Sequence, residues 1–401
     1  MTKLEERLKK YVSFDTMSNP DNDKCPSSKG QEIFADHLLD ELKSLGVDDA
    51  YKDENGYIYA KLKGNADKAS IGFVSHMDTS PDMYGRCDNP QVLIYNGGDI
   101  KLNEDYSISL EEFPFLKNLK GQKVMTTRGD SLLGADDKAG ISIIMELVEY
   151  LVNNPDLKRG DVCIAFTPDE EIGRGADLFN VLDFGADFAY TVDGGPEGEL
   201  EYESFNAASA SVVIKGKNVH PGSAKNIMIN SQLIAMELES MLPKEQKPEF
   251  TEKYEGFYLL TNIEGSVEET KLNYIIRDHS RQLFEEKKEL FKSIVEFLNK
   301  KYGERIKLKI EDSYYNMKEK IQERMEIVEL AKNAYIQCGV KPNIKAIRGG
   351  TDGSKLSFMG LLTPNIFTGG YNYHGRYEFI SLDQMEKSFE IIKTIVINNA
   401  K

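Results

Sequence analysis

Cysteine is scarce in this chain: Cys25, Cys87, Cys163 and Cys338 stand far apart, and no C-x-x-C pair occurs. That spacing fits neither a thiolate zinc site nor a disulfide scaffold, so the four read as reduced structural thiols of a reducing compartment. No His neighbours any of them in sequence, which argues against a Cys–His nucleophile, and burial is the commoner fate of a free Cys. Long apolar runs are missing too. The most apolar helical stretch, ISIIMELVEYLVNN, is interrupted by Glu146 and Glu149 and falls short of the roughly 18 uncharged residues that a membrane span requires. The opening residues alternate charge with Leu4, Leu8, Tyr11 and Val12 at helical spacing, whereas an export signal needs an unbroken apolar stretch. These absences lead us to expect a soluble, cytoplasmic protein with no membrane partner.

Positive charge is in deficit. The 50 Lys+Arg against 66 Asp+Glu leave a net charge of −16, a field that repels phosphate backbones, so nucleic acid is not an expected partner. The same carboxylate excess otherwise serves solubility. The 401 residues exceed one ordinary core and favour two domains, and a hydrophobic content of 40% with 29% charged residues suits a soluble globular chain.

Hydrophobic periodicity supplies the layout. The first half alternates helix (31–45), strands (57–62 and 71–75), helix (138–153) and strand (162–167), with a further strand ending at Asp193. Such alternation predicts an α/β layer with helices on a mostly parallel sheet. From 208 the order becomes strand (208–215), helix (227–242), strands (256–263 and 272–277), helix (281–302) and strand (306–310). That βαββαβ order is the ferredoxin-like unit, inserted as a second domain. Helices at 325–337 and 382–398 then complete the first domain, while 82–128 reads as largely irregular.

Histidine is nearly as rare as cysteine, so each of the five can be weighed. His37, inside a helix, and His279, after the strand YIIRD, suit ordinary structural roles. His76 and Asp78, in GFVSHMDTSPD, stand two apart where an apolar strand ends, so the pleat turns both side chains to one side. One can bind a metal while the other accepts the free imidazole N–H and fixes its aim. Asp136 and Asp137 in LLGADDKAG precede a helix and could merely cap it. Glu170 and Glu171 follow the strand DVCIAFT, Asp193 ends YTVDGG, and His374 sits in the Gly- and Tyr-rich loop FTGGYNYHG. Each element alone is weak, but all end a strand or open a helix, and open α/β sheets bind ligands beyond the carboxyl ends of their strands. Two imidazoles with several carboxylates and no thiolate suit a two-metal hydrolytic site.

Taken together, HMDTSPD, LLGADDKAG, FTPDEE, YTVDGG, NVHPG, IRGGTDG and FTGGYNYHG resemble the tripeptide aminopeptidases of the peptidase T family. These belong to the co-catalytic zinc metallopeptidases, with glutamate carboxypeptidase, aminoacylases and succinyl-diaminopimelate desuccinylase. The resemblance covers essentially the whole chain. It implies a zinc-binding catalytic domain (1–206 and 317–401) interrupted by a ferredoxin-like lid (207–316). It also implies two Zn2+ per subunit, with Co2+ or Mn2+ as substitutes: His76 and Asp193 on one ion, Glu171 and His374 on the other, and Asp136 between them. Asp78 would support His76, and Glu170 would act as general base toward a hydroxide bridging the ions. His220 in the lid would reach the substrate carbonyl, and Arg277 and Arg348 are candidates for gripping the peptide carboxylate, although surface or salt-bridge roles suit all three. The implied activity is removal of the N-terminal residue from tripeptides, and a homodimer is conceivable from relatives. A deacylase or carboxypeptidase would share the same ligands, and a silent descendant would be expected to have lost one of them.

Overall fold

The computed structural model describes residues 2–401. It divides into two compact units: one made of residues 2–202, Met317–Lys345 and Thr351–Lys401, the other of Glu203–Asn316 with Ala346–Gly350.

The first unit is built on an eight-stranded sheet, in the order Tyr51–Lys52, Ile58–Leu62, Val162–Thr167, Ile71–His76, Phe188–Gly194, Asn365–Phe367, Glu199–Glu201, Asn343–Ile344. At its centre Val162–Thr167, Ile71–His76, Phe188–Gly194 and Asn365–Phe367 run parallel. Every residue of Ile71–His76 and of Val162–Thr167 is buried, which is why both strands read as unbroken apolar runs rather than alternating ones. The helix Ala135–Asn153 packs on Ile71–His76 and Phe188–Gly194, and most of its residues are buried. Parallel pairing in register, with His76 opposite Thr167, brings the carboxyl ends of neighbouring strands to one edge of the sheet. The loops after His76, after Thr167 and after Asp193 therefore leave from that edge.

The segment 82–128, expected to be irregular, contains ordered strands. Gln91–Ile94 and Lys123–Thr126 pair with each other, and Lys123–Thr126 also pairs with Phe379–Ser381, which joins Gly370–Tyr371 in a four-stranded sheet. Ile100–Lys101 and Ser107–Ile108 form a separate two-stranded ribbon. A small core of Tyr95, Leu116, Leu119, Val124 and Phe379 lies beneath them. Strands this short carry too little periodicity to be read locally, and part of the pairing comes from a distant stretch of chain.

In the second unit the elements Asn206–Lys215, Ser231–Met241, Phe257–Gly265, Glu269–Asp278, Arg281–Tyr302 and Ile306–Tyr314 follow the anticipated βαββαβ order. Their antiparallel sheet has the order Phe257–Gly265, Glu269–Asp278, Asn206–Lys215, Ile306–Tyr314. Ala208, Ala210, Val212 and Ile214 alternate inward and meet Ile234, Leu238, Phe284, Phe291 and Leu298 of the two helices. Ser280 caps the long helix by accepting from the Leu283 amide, and Gly303 at φ 87° ends it in a left-handed turn that a side chain would resist.

Two boundaries differ from expectation: the inserted unit begins at Glu203 rather than at 207, and it takes in a later segment. Ala346–Gly350 belongs to the inserted unit, whereas the sequence predicts that 317–401 returns wholly to the first domain. Backbone pairing is the cause: the Ile347 amide donates to Glu203 O at 2.8 Å and the Phe205 amide to Gly349 O at 3.1 Å. Among the described residues no helix is long and apolar enough to cross a membrane.

Candidate metal centre

His76 ends its strand and is 2% exposed. Its Nε2 lies 3.0 Å from Asp136 Oδ1 and 3.5 Å from Asp193 Oδ1. On the other side of Asp136, His374 Nε2 lies 3.4 Å from Asp136 Oδ2 and 2.9 Å from Glu171 Oε2. Each oxygen of Asp136 thus faces a different imidazole, and each imidazole has a second carboxylate of its own. Glu171 Oε1 is buried without a hydrogen-bond partner and so is open to a cation.

Distance alone does not choose between the two adjacent aspartates, because Asp137, His76 and Asp193 also offer ligand atoms within 4.8 Å of one another. Hydrogen bonding does. Asp137 Oδ1 accepts from the Gly140 amide at 3.1 Å and Oδ2 from the His76 amide at 3.3 Å, so both its oxygens serve the helix start and the strand end. Asp136 keeps its oxygens toward the histidines while its amide donates to Glu378 Oε1 at 3.2 Å.

Asp78 holds two parts of the site. His76 Nδ1 faces Asp78 O at 3.1 Å and Asp78 Oδ1 at 3.4 Å, which orients the ring so that Nε2 points at Asp136 and Asp193. The same carboxylate accepts the Glu170 amide at 3.0 Å and the Glu171 amide at 3.1 Å. Glu170 itself makes no ion pair or side-chain hydrogen bond among the described residues.

The structure therefore brings His76, Asp78, Asp136, Glu170, Glu171, Asp193 and His374 together in the first unit. His220, Arg277 and Arg348 belong to the inserted unit. There His220 is exposed, its Nδ1 accepting from the Gly222 amide. Arg348 spends its guanidinium on Lys253 O, Glu255 O and Thr251 Oγ1. Arg277 donates Nη1 to Arg348 O at 3.2 Å and leaves its buried Nε without a partner, so it retains more donor capacity than Arg348.

Sequence reading misses several supports. Glu378 is buried and accepts from the Leu133 and Gly134 amides at 2.8 and 2.9 Å, besides that of Asp136, so one carboxylate shapes the loop that carries Asp136. Nothing around it in GRYEFI announces this role. Lys138, also buried, donates to Phe14 O at 2.8 Å, and burial brings its pKa down to about 8. Asp352, which in sequence looks like part of a glycine turn, accepts from Thr167 Oγ1 at 2.6 Å beneath the site.

The electrostatics show what this donor set demands. Burial, aided by the Asp136 charge, pushes Glu171 up to about 8, and burial likewise raises Asp193 to about 6. Burial opposes the charge on His76, yet Asp193, Asp136 and Asp78 hold its pKa well above the usual range. Hydrogen bonds to Asp136 and Glu171 carry His374 up to about 11. Crowded carboxylates of this kind take up protons unless cations offset their mutual repulsion, and a metal ligand must give its proton up. His76 and His374 are raised by their carboxylate partners and Glu171 by burial, and a metal ligand must shed its proton, so loading with a divalent cation is expected to release protons and to tighten as pH rises. Titration calorimetry in two buffers of different ionisation enthalpy measures this; identical heats in both would contradict it.

The profile of "Peptidase family M20/M25/M40" matches residues 125–398. The chain is 56% identical to the peptidase T of Caldanaerobacter subterraneus subsp. tengcongensis, over 99% of this chain and 98% of the relative. It is 54% identical to the peptidase T of Bacillus subtilis, over 97% of each. Among solved structures it resembles aminopeptidase PepT from Bacillus cereus, with TM-score 0.78 at 21% identity, covering 100% of this chain and 98% of that one. It also resembles a dinuclear metal-binding peptidase of the M20 family from Bacillus subtilis, with TM-score 0.66 at 13% identity, covering 98% and 97%. Near full-length identity above one half, the matching family profile and the shared fold establish that the chain belongs to peptidase family M20/M25/M40, within its peptidase T group.

Proposed function

We propose that this chain is a two-zinc aminopeptidase that removes the N-terminal residue from tripeptides. The observation that carries the reading is Asp136, whose two oxygens face two separate His–carboxylate pairs while Glu170 stands beside them without a partner. His76 and Asp193 would hold one cation, Glu171 and His374 the other, with Asp136 shared. Nitrogen and oxygen donors without thiolate suit catalytic zinc, with cobalt or manganese able to replace it. Bound there, the pair of cations supplies the charge that acidifies a water and polarises the scissile carbonyl.

The protein's own groups do the rest. Glu170 takes the proton of the attacking water and returns it to the departing amine, a task open to a carboxylate that no neighbouring side chain engages. Asp78 keeps Glu170 and Glu171 in place through their amides and aims His76 through Nδ1. In the inserted unit, His220 would donate to the oxyanion that develops on the carbonyl, and Arg277, with Arg348 bracing it, would pair with the peptide carboxylate.

The test is a three-way substrate panel of a free tripeptide, its N-acetylated form and an N-acyl amino acid, given to the zinc-loaded protein. Cleavage of the free tripeptide at its first bond, with the blocked compounds left intact, is the expected result. Turnover of the blocked compounds alone would replace this reading with a deacylase.

A further inference from the structure

The two glutamates of the site are consecutive residues with opposite duties. Glu171 turns toward His374, whereas Glu170 stays unengaged. Consecutive side chains with such different surroundings must leave the backbone in set directions, so something must hold the turn that presents them. That turn, Glu170–Ile172, is entered through Asp169 at φ 60°, ψ 26° and left through Gly173 at φ 74°. Glycine occupies the left-handed region freely; Asp169 is a non-glycine residue there, and it is fully buried.

Its side chain is met by Ser27 and Gln31, at the start of the helix Lys29–Ser44. Asp169 Oδ2 accepts from the Ser27 amide at 2.8 Å, and Oδ1 accepts from the Ser27 hydroxyl and from Gln31 Nε2 at 2.7 Å. Gln31 then returns the contact, its Oε1 accepting from the Asp169 amide at 3.1 Å. Ser27 and Gln31 are both buried. The amides of Asp169, Glu170 and Glu171 are therefore each bonded to a side-chain oxygen from elsewhere in the first unit: Gln31 for the first, Asp78 for the other two. With consecutive peptide planes fixed, the directions in which the two glutamate side chains leave the backbone are fixed as well.

We propose that Ser27, Gln31 and Asp169 form a positioning clamp that sets the aim of Glu170 from behind, with Asp169 a positioning residue for hydrolysis that never touches substrate. This rests on the reading of Glu170 as the base. Asp169→Asn sets its new amide donor against another donor, Gln31 Nε2 in one orientation and the Ser27 amide in the other, and so breaks the clamp while preserving shape and the tolerance for a left-handed backbone. Gln31→Glu in the same chain restores the match in reverse, since the carboxylate introduced at position 31 accepts from both the backbone amide and the new carboxamide at position 169.

The experiment uses the full-length, zinc-loaded protein, a tripeptide substrate and metal analysis of every variant. Asp169→Asn is expected to lower kcat by about ten- to a hundredfold, the scale found when groups behind a metal site are lost. KM and zinc content stay at the parent's level, and the Gln31→Glu/Asp169→Asn double variant recovers most of kcat. A parent-like kcat in Asp169→Asn, or a folded, zinc-loaded double variant without recovery, overturns the clamp. If the double variant does not fold, Ser27→Ala decides: a severalfold drop in kcat at unchanged KM supports the clamp, and an unchanged kcat overturns it. Glu170→Gln is measured alongside. If it is inactive, the base assignment stands whatever Asp169 does; if it is fully active, that assignment fails and the clamp falls with it.

Discussion

Glu170→Gln is expected to lower kcat by between about a hundredfold and ten-thousandfold, the range that general-base removal spans, with zinc content unchanged. The change is isosteric, and the turn is held by the Glu170 amide on Asp78 rather than by the glutamate side chain, so the backbone keeps its course. Metal is retained because neither histidine contacts Glu170, whereas Glu171 sits 2.9 Å from His374 Nε2. Burial holds the Glu170 pKa well above that of an ordinary glutamate; Asp193, Asp352 and Glu171 add to this, and His76 opposes it. Such a setting suits a group that must accept a proton and give it back. Steady-state kinetics with metal analysis check the prediction, and a variant as active as the parent would remove Glu170 from the mechanism.

Asp136→Ala is expected to be more severe in kind. On the proposed ligand set it takes one ligand from both halves of the centre, so the expected result is a fall in zinc stoichiometry and a drop in kcat/KM of more than about a thousandfold, which corresponds to the several kcal/mol that cation assistance supplies. Its neighbour should behave differently. Asp137→Asn removes one of two acceptors for buried amides and is expected to cost about 1–3 kcal/mol of stability, seen as a lowered melting temperature. Zinc content should hardly change in that variant. The opposite pattern, with zinc lost from Asp137→Asn and kept in Asp136→Ala, would exchange the two assignments.

Much of this is legible in the sequence alone. The strand carrying His76 shows as an apolar run, and the period of two places Asp78 on the same side. The inserted unit is legible because its strands are about ten residues long and alternate cleanly, as Ala208, Ala210, Val212 and Ile214 illustrate. What stays hidden is non-local. Gln91–Ile94 and Lys123–Thr126 are strands of four residues whose sheet is completed by residues beyond 369. Glu378 supports Asp136 from 242 positions away, with no local pattern to mark it. Asp169 is in plain view as the first acid of PDEE, but its partners Ser27 and Gln31 are visible only in three dimensions. Ala346–Gly350 joins the inserted unit for a similar reason, since backbone pairing with Glu203 and Phe205 leaves no trace in composition.

The side chains that meet around Asp136 enter the chain at positions as far apart as 76 and 374, with a complete second folding unit encoded between them. A polypeptide still on the ribosome can therefore finish the ferredoxin-like unit, yet it lacks one of its two imidazoles until residue 374 has emerged. On the proposed ligand set, a fragment cut short before that point is expected to be inactive toward peptides.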